Sequence, residues 1–228
     1  MFIHFGRPKR LRELHLTRQS PATVRARQRI LVVDDQPFLL KEVIASHGFS
    51  IVEMRDLQSV DLAAAYPIIV CDIKGVGAAL GGKHEGAHLF REIRKVFPEK
   101  YIISFTGFRF DPTFNKYFQS ADRSLKKDTD LEAWVEVLDE ATTVMSDPVQ
   151  RWLRVRRHLL DSVEIDMWTV LLLEQAFITA VDSGAKDPLL GAVGELRLPE
   201  ETTRLLRAFA TSLFTDVLAS AVVGAVTG

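Results

Sequence analysis

Between residues 30 and 146, short apolar runs alternate with longer amphipathic stretches, and no other feature of the sequence narrows the fold so far. The runs Ile30–Val33, Phe49–Met54, Ile68–Cys71, Tyr101–Phe105 and roughly Arg123–Lys126 are mostly rich in β-branched or aromatic residues. Short runs of this composition suit strands buried on both faces. Between them, Phe38–Ser46, Leu57–Ala65, Gly86–Val96, Pro112–Gln119 and Leu131–Met145 repeat apolar residues at helical spacing. Strict alternation of five strands with five helices predicts an α/β fold, a five-stranded parallel doubly wound sheet.

The flanks differ in charge and in period. Residues 1–29 hold eight Lys/Arg against Glu13 alone, while the whole chain has a formal net charge of −1. Residues 1–28 read as a basic, mostly irregular N-terminal arm, broken at Ser20-Pro21. Residues 29–146 form the sheet domain, and 147–228 an all-α C-terminal domain. In the last, Pro148–Leu160, Val163–Val181 and Glu200–Val226 read as helices, with breaks at Ser183-Gly184, Asp187-Pro188 and Leu198-Pro199. The single cysteine, Cys71, excludes an internal disulfide and a Cys-rich zinc site and suits a reducing cytoplasm. Arg7, Lys9, Arg10 and Arg12 interrupt any signal-peptide core, so a cytoplasmic protein is expected. Ala208–Val226 is nineteen residues with one charge, Asp216. That is the length of a membrane span, but a central aspartate and four hydroxyl residues are costly in lipid. A buried or dimer-forming helix is expected there instead.

In an open α/β sheet, functional groups gather at the carboxyl ends of the strands. Asp34-Asp35 follow the first strand, Asp72 the third, Thr106 the fourth and Lys126-Lys127 the fifth. Three carboxylates brought together repel one another unless a cation sits among them, and Mg²⁺ prefers such oxygen ligands. A carboxylate beside a metal can attack a phosphoryl group. The Thr106 hydroxyl and the Lys127 ammonium would hold the remaining phosphoryl oxygens. A capping role at Pro37 accounts for one aspartate of the first pair and leaves the other without a partner.

On these residues the chain resembles the receiver domain of two-component response regulators over about residues 29–145. Ile30-Leu31-Val32-Val33-Asp34-Asp35 matches that family's first strand and acidic pair, and Ile68-Ile69-Val70-Cys71-Asp72 the strand ending in its phosphoacceptor. Ile102-Ile103-Ser104-Phe105-Thr106-Gly107 matches the strand ending in the signalling hydroxyl, and Ala121–Lys127 the fifth strand with the family lysine at Lys127. The resemblance implies that Asp72 accepts phosphate from a sensor histidine kinase. It also implies that Asp35 binds Mg²⁺ directly, Asp34 through water, and Lys74 through its backbone carbonyl. The chain would then be a phosphoacceptor, catalysing only its own phosphotransfer and dephosphorylation.

Four positions depart from the family pattern. Val76 stands where proline is usual, and the segment from Asp72 to Gly86 is longer and holds Gly75, Gly77, Gly81 and Gly82. Such a segment is either flexible or able to approach an anion with its backbone. Asp128 replaces the proline after the lysine, so the customary cis peptide is not expected. Ser124 replaces the aromatic switch residue, so the usual coupling of a hydroxyl shift to an aromatic rotamer cannot operate unchanged. Lys74 and Phe108 would flank the path of hydrolytic water and shield the phosphoryl group.

Other residues suggest less. His84 and His88 lack a third ligand, His158 lacks a downstream ATP-binding domain, and Cys71 reads as inert core. Arg151, Arg154, Arg156 and Arg157 read as a solvated helix face, because no basic second helix follows to read bases. The resulting expectation is a signalling protein with a non-DNA-binding helical output that homodimerises through the C-terminal helices. Alternatives are a phosphate sink, a phosphorylation-independent pseudo-receiver adaptor and, ranked last, a nucleic-acid-binding regulator using the basic arm.

Overall fold

The apolar runs pair side by side into a parallel sheet. The structure, a computed structural model, describes residues 8–14, 16, 19–81, 85–107 and 120–215. The chain divides into two compact units, Gln19–Ser146 and Asp147–Gly228, the latter taking in Met1–Arg18. In the first unit, β1 (Arg29–Val33), β2 (Ser50–Met54), β3 (Ile68–Asp72), β4 (Tyr101–Thr106) and β5 (Arg123–Lys126) stand in the order β2-β1-β3-β4-β5. All pairings are parallel, with Val33 opposite Cys71, Asp72 opposite Phe105, and Thr106 opposite Lys126.

β1, β3 and β4 are almost wholly buried, as central parallel strands must be when helices cover both faces. Side chains alternate across the sheet. Ile30, Val32, Ile68, Val70, Ile103 and Phe105 face a core filled by Phe38, Ile44, Trp134, Leu138 and Met145. Those last five come from the segment before and within α2 (Lys41–Ser46) and from α4 (Leu131–Ser146). Phe38, Phe105 and Trp134 meet edge to face, with ring centroids 5.4 to 5.9 Å apart. α3 (Glu85–Val96) buries Leu89, Phe90 and Ile93.

Several elements differ from the sequence reading. Ser20-Pro21 starts a helix: the Ser20 hydroxyl accepts the Thr23 amide at 3.2 Å, and proline fits the first turn of α1 (Pro21–Arg27). α1 belongs to the sheet unit. Its Arg25 donates to both Asp139 oxygens, at 2.6 and 2.5 Å, and lies over the Phe49 ring. Residues 57–65 contain a 3-10 helix at Val60–Ala65 instead of an α-helix. α2 begins three residues later than the pattern suggests, since the Phe38 amide donates to Glu53 and its ring enters the core. The Pro112–Gln119 helix lies outside the described residues.

In the second unit, Asp147 caps α5 (Pro148–Ser162), Asp166 caps α6 (Met167–Ser183), and α7 (Asp187–Glu195) and α8 (Glu200–Leu213) follow. Asp187-Pro188, read as a break, instead opens α7, with proline again in the first turn. α6 starts at Met167, not at Val163, because Asp166 takes the capping position. Glu200–Val226 is helical through Leu213, and its portion from 216 onward lies outside the described residues. No described helix is long and apolar enough to cross a membrane.

The core of this unit is built on Trp152, which stacks on Phe177 at 5.1 Å and donates its indole N–H to Glu174 at 3.0 Å. Leu159, Leu173, Leu206 and Phe209 complete it. Arg151 is fully buried and donates to Ser212, so it does not belong to a solvated face, and Arg156 pairs with Glu174 at 3.5 Å. Part of the basic arm is also structural. Leu11 and Leu14 pack on this core, and Lys9 exchanges two backbone hydrogen bonds with the Gln175 amide, at 3.0 and 2.8 Å. The arm thus contributes residues to each unit instead of running as one solvated tail.

Trp152→Ala removes the largest ring of this core and should destabilise the helical unit by about 3–5 kcal/mol. Amide hydrogen exchange should show the loss across α5–α8 while α4 and the strands keep their protection.

Candidate functional site

The strand order decides which carboxyl ends are neighbours. β1 and β3 pair directly, so the residues leaving them open into one crevice. Asp34 and Asp35 leave β1, and Asp72 ends β3. Each of the three offers a carboxylate oxygen, and these oxygens lie within 4.8 Å of one another. Asp34 and Asp72 are each 6% exposed, whereas Asp35 faces solvent.

Lys127, immediately after β5, reaches into this group. Its Nζ lies 2.9 Å from Asp34 Oδ2 and 2.7 Å from Asp72 Oδ2, and 5.0 Å from the centre of the Phe105 ring. The backbone is placed for this, since the Lys127 amide donates to the Thr106 carbonyl at 3.0 Å. The other oxygens of the pair are held by amides. Asp34 Oδ1 accepts from Gln36 at 3.0 Å, and Asp72 Oδ1 accepts from Ile73 at 2.6 Å and from Lys74 at 3.4 Å. Burial pushes the Asp34 carboxyl above its ordinary pKa, against the pull of the Gln36 amide and of Lys127. Burial lowers the Lys127 pKa, but its hydrogen bonds to Asp72 and Asp34 outweigh this and leave it raised. Burial likewise pushes the Cys71 thiol well up, which suits an inert core residue.

The structure therefore brings Asp34, Asp35, Asp72 and Lys127 together and puts Thr106 at the end of β4, beside the Lys127 backbone. Three carboxylates against one ammonium leave an excess of two negative charges among hard oxygen donors. A Mg²⁺ ion matches that set in both charge and ligand type. Asp34, Asp35 and Asp72 would hold it, and Lys74, two residues beyond Asp72, runs alongside.

One residue near the site was missed from sequence. Asp56, just beyond β2, was passed over when the strand ends were read, although β2 is the other neighbour of β1. Its carboxylate accepts the amides of Leu57 at 2.8 Å, Gly77 at 2.6 Å and Ala79 at 3.3 Å. The glycine-rich insert thus does approach an anion with its backbone, and the anion is a side chain of the same unit. Gly75, Gly77 and Gly81 have φ of 77°, 84° and 72°, a left-handed conformation that glycine adopts at little cost. At Gly75 an added Cβ would lie 2.5 Å from Asp35 Oδ2, and at Gly86 one would lie 2.2 Å from the Asp72 carbonyl oxygen. Ser124, at the switch position, shares a 2.7 Å hydrogen bond with Ser104. No cis peptide bond occurs among the described residues. His84 and Phe108 lie outside them.

Gly75→Ala combines a left-handed backbone, costing about 1–2 kcal/mol for a residue with a Cβ, with a direct clash on Asp35. It should keep the fold by circular dichroism but weaken Mn²⁺ binding at least about tenfold, as loss of metal-ligand support does. Gly48→Ala is the control, with φ of 89° and nothing within 4 Å of the added carbon. It should bear a similar backbone cost and leave Mn²⁺ binding unchanged.

No family model and no curated protein matches the chain. Solved structures similar to it include receiver domains and response regulators. A CheY-like response regulator receiver domain protein from Methanospirillum hungatei is 20% identical, covering 52% of this chain and 95% of its own, with a TM-score of 0.44. A two-component response regulator from Clostridium difficile is 20% identical over 53% and 99%, with a TM-score of 0.44. The receiver domain of NtrX from Brucella abortus is 23% identical over 50% and 98%, with a TM-score of 0.43. The strand order β2-β1-β3-β4-β5, all parallel with helices between, is that of the flavodoxin-like doubly wound sheet. About half of the chain, within Gln19–Ser146, thus has a flavodoxin-like doubly wound fold, and the rest of the described chain is helical.

Proposed function

We propose that the chain is a response-regulator-like signalling protein that takes a phosphoryl group on Asp72. The observation that carries this reading is the Asp72 carboxylate at the mouth of the sheet, with one oxygen 2.7 Å from Lys127 Nζ and the aspartates of β1 beside it. Asp72 supplies the nucleophilic oxygen. An O–P bond forms to Asp72 as the bond from phosphorus to the donor breaks. For a kinase phosphohistidine the electron pair goes to the imidazole nitrogen, and for acetyl phosphate to the acetate oxygen. Lys127 stands where it can follow the charge from the carboxylate to the phosphoryl oxygens, and Thr106, at the end of β4, would supply a further hydroxyl. A Mg²⁺ ion held by Asp34, Asp35 and Asp72, with the Lys74 carbonyl as a further ligand, would supply neutralisation of phosphoryl charge.

A sensor histidine kinase is the donor on this reading, and the helical unit is the output. Its residues 147–228 carry eight Lys/Arg against eleven Asp/Glu, which favours protein contacts, including self-association, over nucleic acid. Ser124 bonded to Ser104 leaves no aromatic rotamer at that position to relay the event, so the output is coupled by some other route.

Intact-mass measurement after incubation with acetyl phosphate and Mg²⁺ should show one phosphoryl group on the wild type and none on Asp72→Asn. Lys127→Met should label more slowly, because the ammonium no longer offsets the developing charge. Equal labelling of Asp72→Asn would overturn the assignment.

A further inference from the structure

We propose that Asp56 is a positioning residue for the acidic site, fixing the backbone from Lys74 to Ala79 against Asp35. The inference rests on the reading of Asp34, Asp35 and Asp72 as a divalent-cation site. Asp56 is half-buried, and both of its carboxylate oxygens are engaged. Oδ1 accepts from Leu57 and Gly77, and Oδ2 accepts from Ala79. An acceptor bearing charge makes stronger bonds with amides than a neutral one does.

The geometry explains why these bonds matter two residues upstream. Gly75 and Gly77 both have left-handed backbones, which turn the chain so that the amides of residues 77 and 79 converge on one carboxylate. Anchored at 77 and 79, the segment passes Asp35 so closely at residue 75 that a side-chain carbon there would force the Asp35 carboxylate to shift. Its other end is fixed at Asp72, whose own carboxylate accepts the amides of Ile73 and Lys74. The backbone of Lys74-Gly75 is thus held from both sides beside the three aspartates. A glycine-rich segment left free would sample many conformations, and ordering it on metal binding would cost affinity. Asp56 removes that cost before the metal arrives.

Mn²⁺ titration followed by electron paramagnetic resonance tests this on the full chain, with Asp35→Ala as the reference variant. Asp56→Ala should weaken Mn²⁺ binding about ten- to a hundredfold, the usual effect of losing a group that orients metal ligands. Asp56→Asn should fall between it and the wild type, because its amide oxygen can still accept from Leu57 and Gly77 while its NH2 faces the Ala79 amide. This variant also serves if the alanine variant is poorly folded. In metal-free protein, amide exchange at Gly77 and Ala79 should accelerate in the same order. Wild-type Mn²⁺ affinity in both Asp56 variants, with affinity lost in Asp35→Ala, would overturn the role of Asp56 alone. Wild-type affinity in Asp35→Ala would overturn the metal reading, and the inference with it.

Discussion

One ammonium group holds the functional edge of the sheet together. Lys127 comes from the edge strand β5, yet it bonds to Asp72 two strands away and to Asp34 three strands away. Two buried carboxylates this close repel each other, and the Lys127 ammonium between them offsets that repulsion. The ion pairs require β5 beside β4, β4 beside β3 and β3 beside β1, with the Thr106–Lys127 backbone bond setting how far the side chain reaches. The third carboxylate, Asp35, stays in solvent, where its charge is tolerated without a partner of this kind. The site is therefore left electronegative at its mouth and compensated at its floor.

Around that floor, the loops are held by amides donating to carboxylates. Asp34, Asp72 and Asp56 each accept backbone N–H groups from the residues that follow their strands, and Glu53 accepts the Phe38 amide. The same acidic side chains that create the electrostatic difficulty thus satisfy donors that the turns would otherwise leave exposed. The helical unit is stabilised in a different way. Its apolar core is organised on the stacked Trp152 and Phe177 rings, and its polar contacts combine helix caps with bonds between helices, such as Arg151 to Ser212 and Trp152 to Glu174. The two units accordingly differ in kind, one built to concentrate charge at strand ends and the other to present helices.

Much of this was legible beforehand. All five strands fell within a residue of their expected bounds at either end, a usual margin for assigning boundaries, and Asp34, Asp35, Asp72 and Lys127 did converge. Periodicity and the strand-end rule suffice for these because a buried parallel strand tolerates few compositions. The errors share a cause. Ser20-Pro21 and Asp187-Pro188 were read as breaks, but proline in a first turn starts a helix as readily as it ends one. Which of the two occurs depends on what the following residues pack against. Arg151 was placed in solvent because a cluster of arginines usually is, and its burial against Ser212 depends on α8, some sixty residues later.

The sequence by itself determined the sheet, its parallel sense and the set of acidic and basic groups at its carboxyl edge, because these follow from local pattern and chain order. Tertiary structure alone decided what the glycine-rich insert does. Its glycines permit left-handed turns, but permission is not a conformation. The Asp56 carboxylate, brought beside it by the pairing of β2 with β1, selects the one in which residues 77 and 79 donate and residue 75 presses on Asp35. That selection depends on hydrogen bonds between residues about twenty positions apart, which no local pattern encodes.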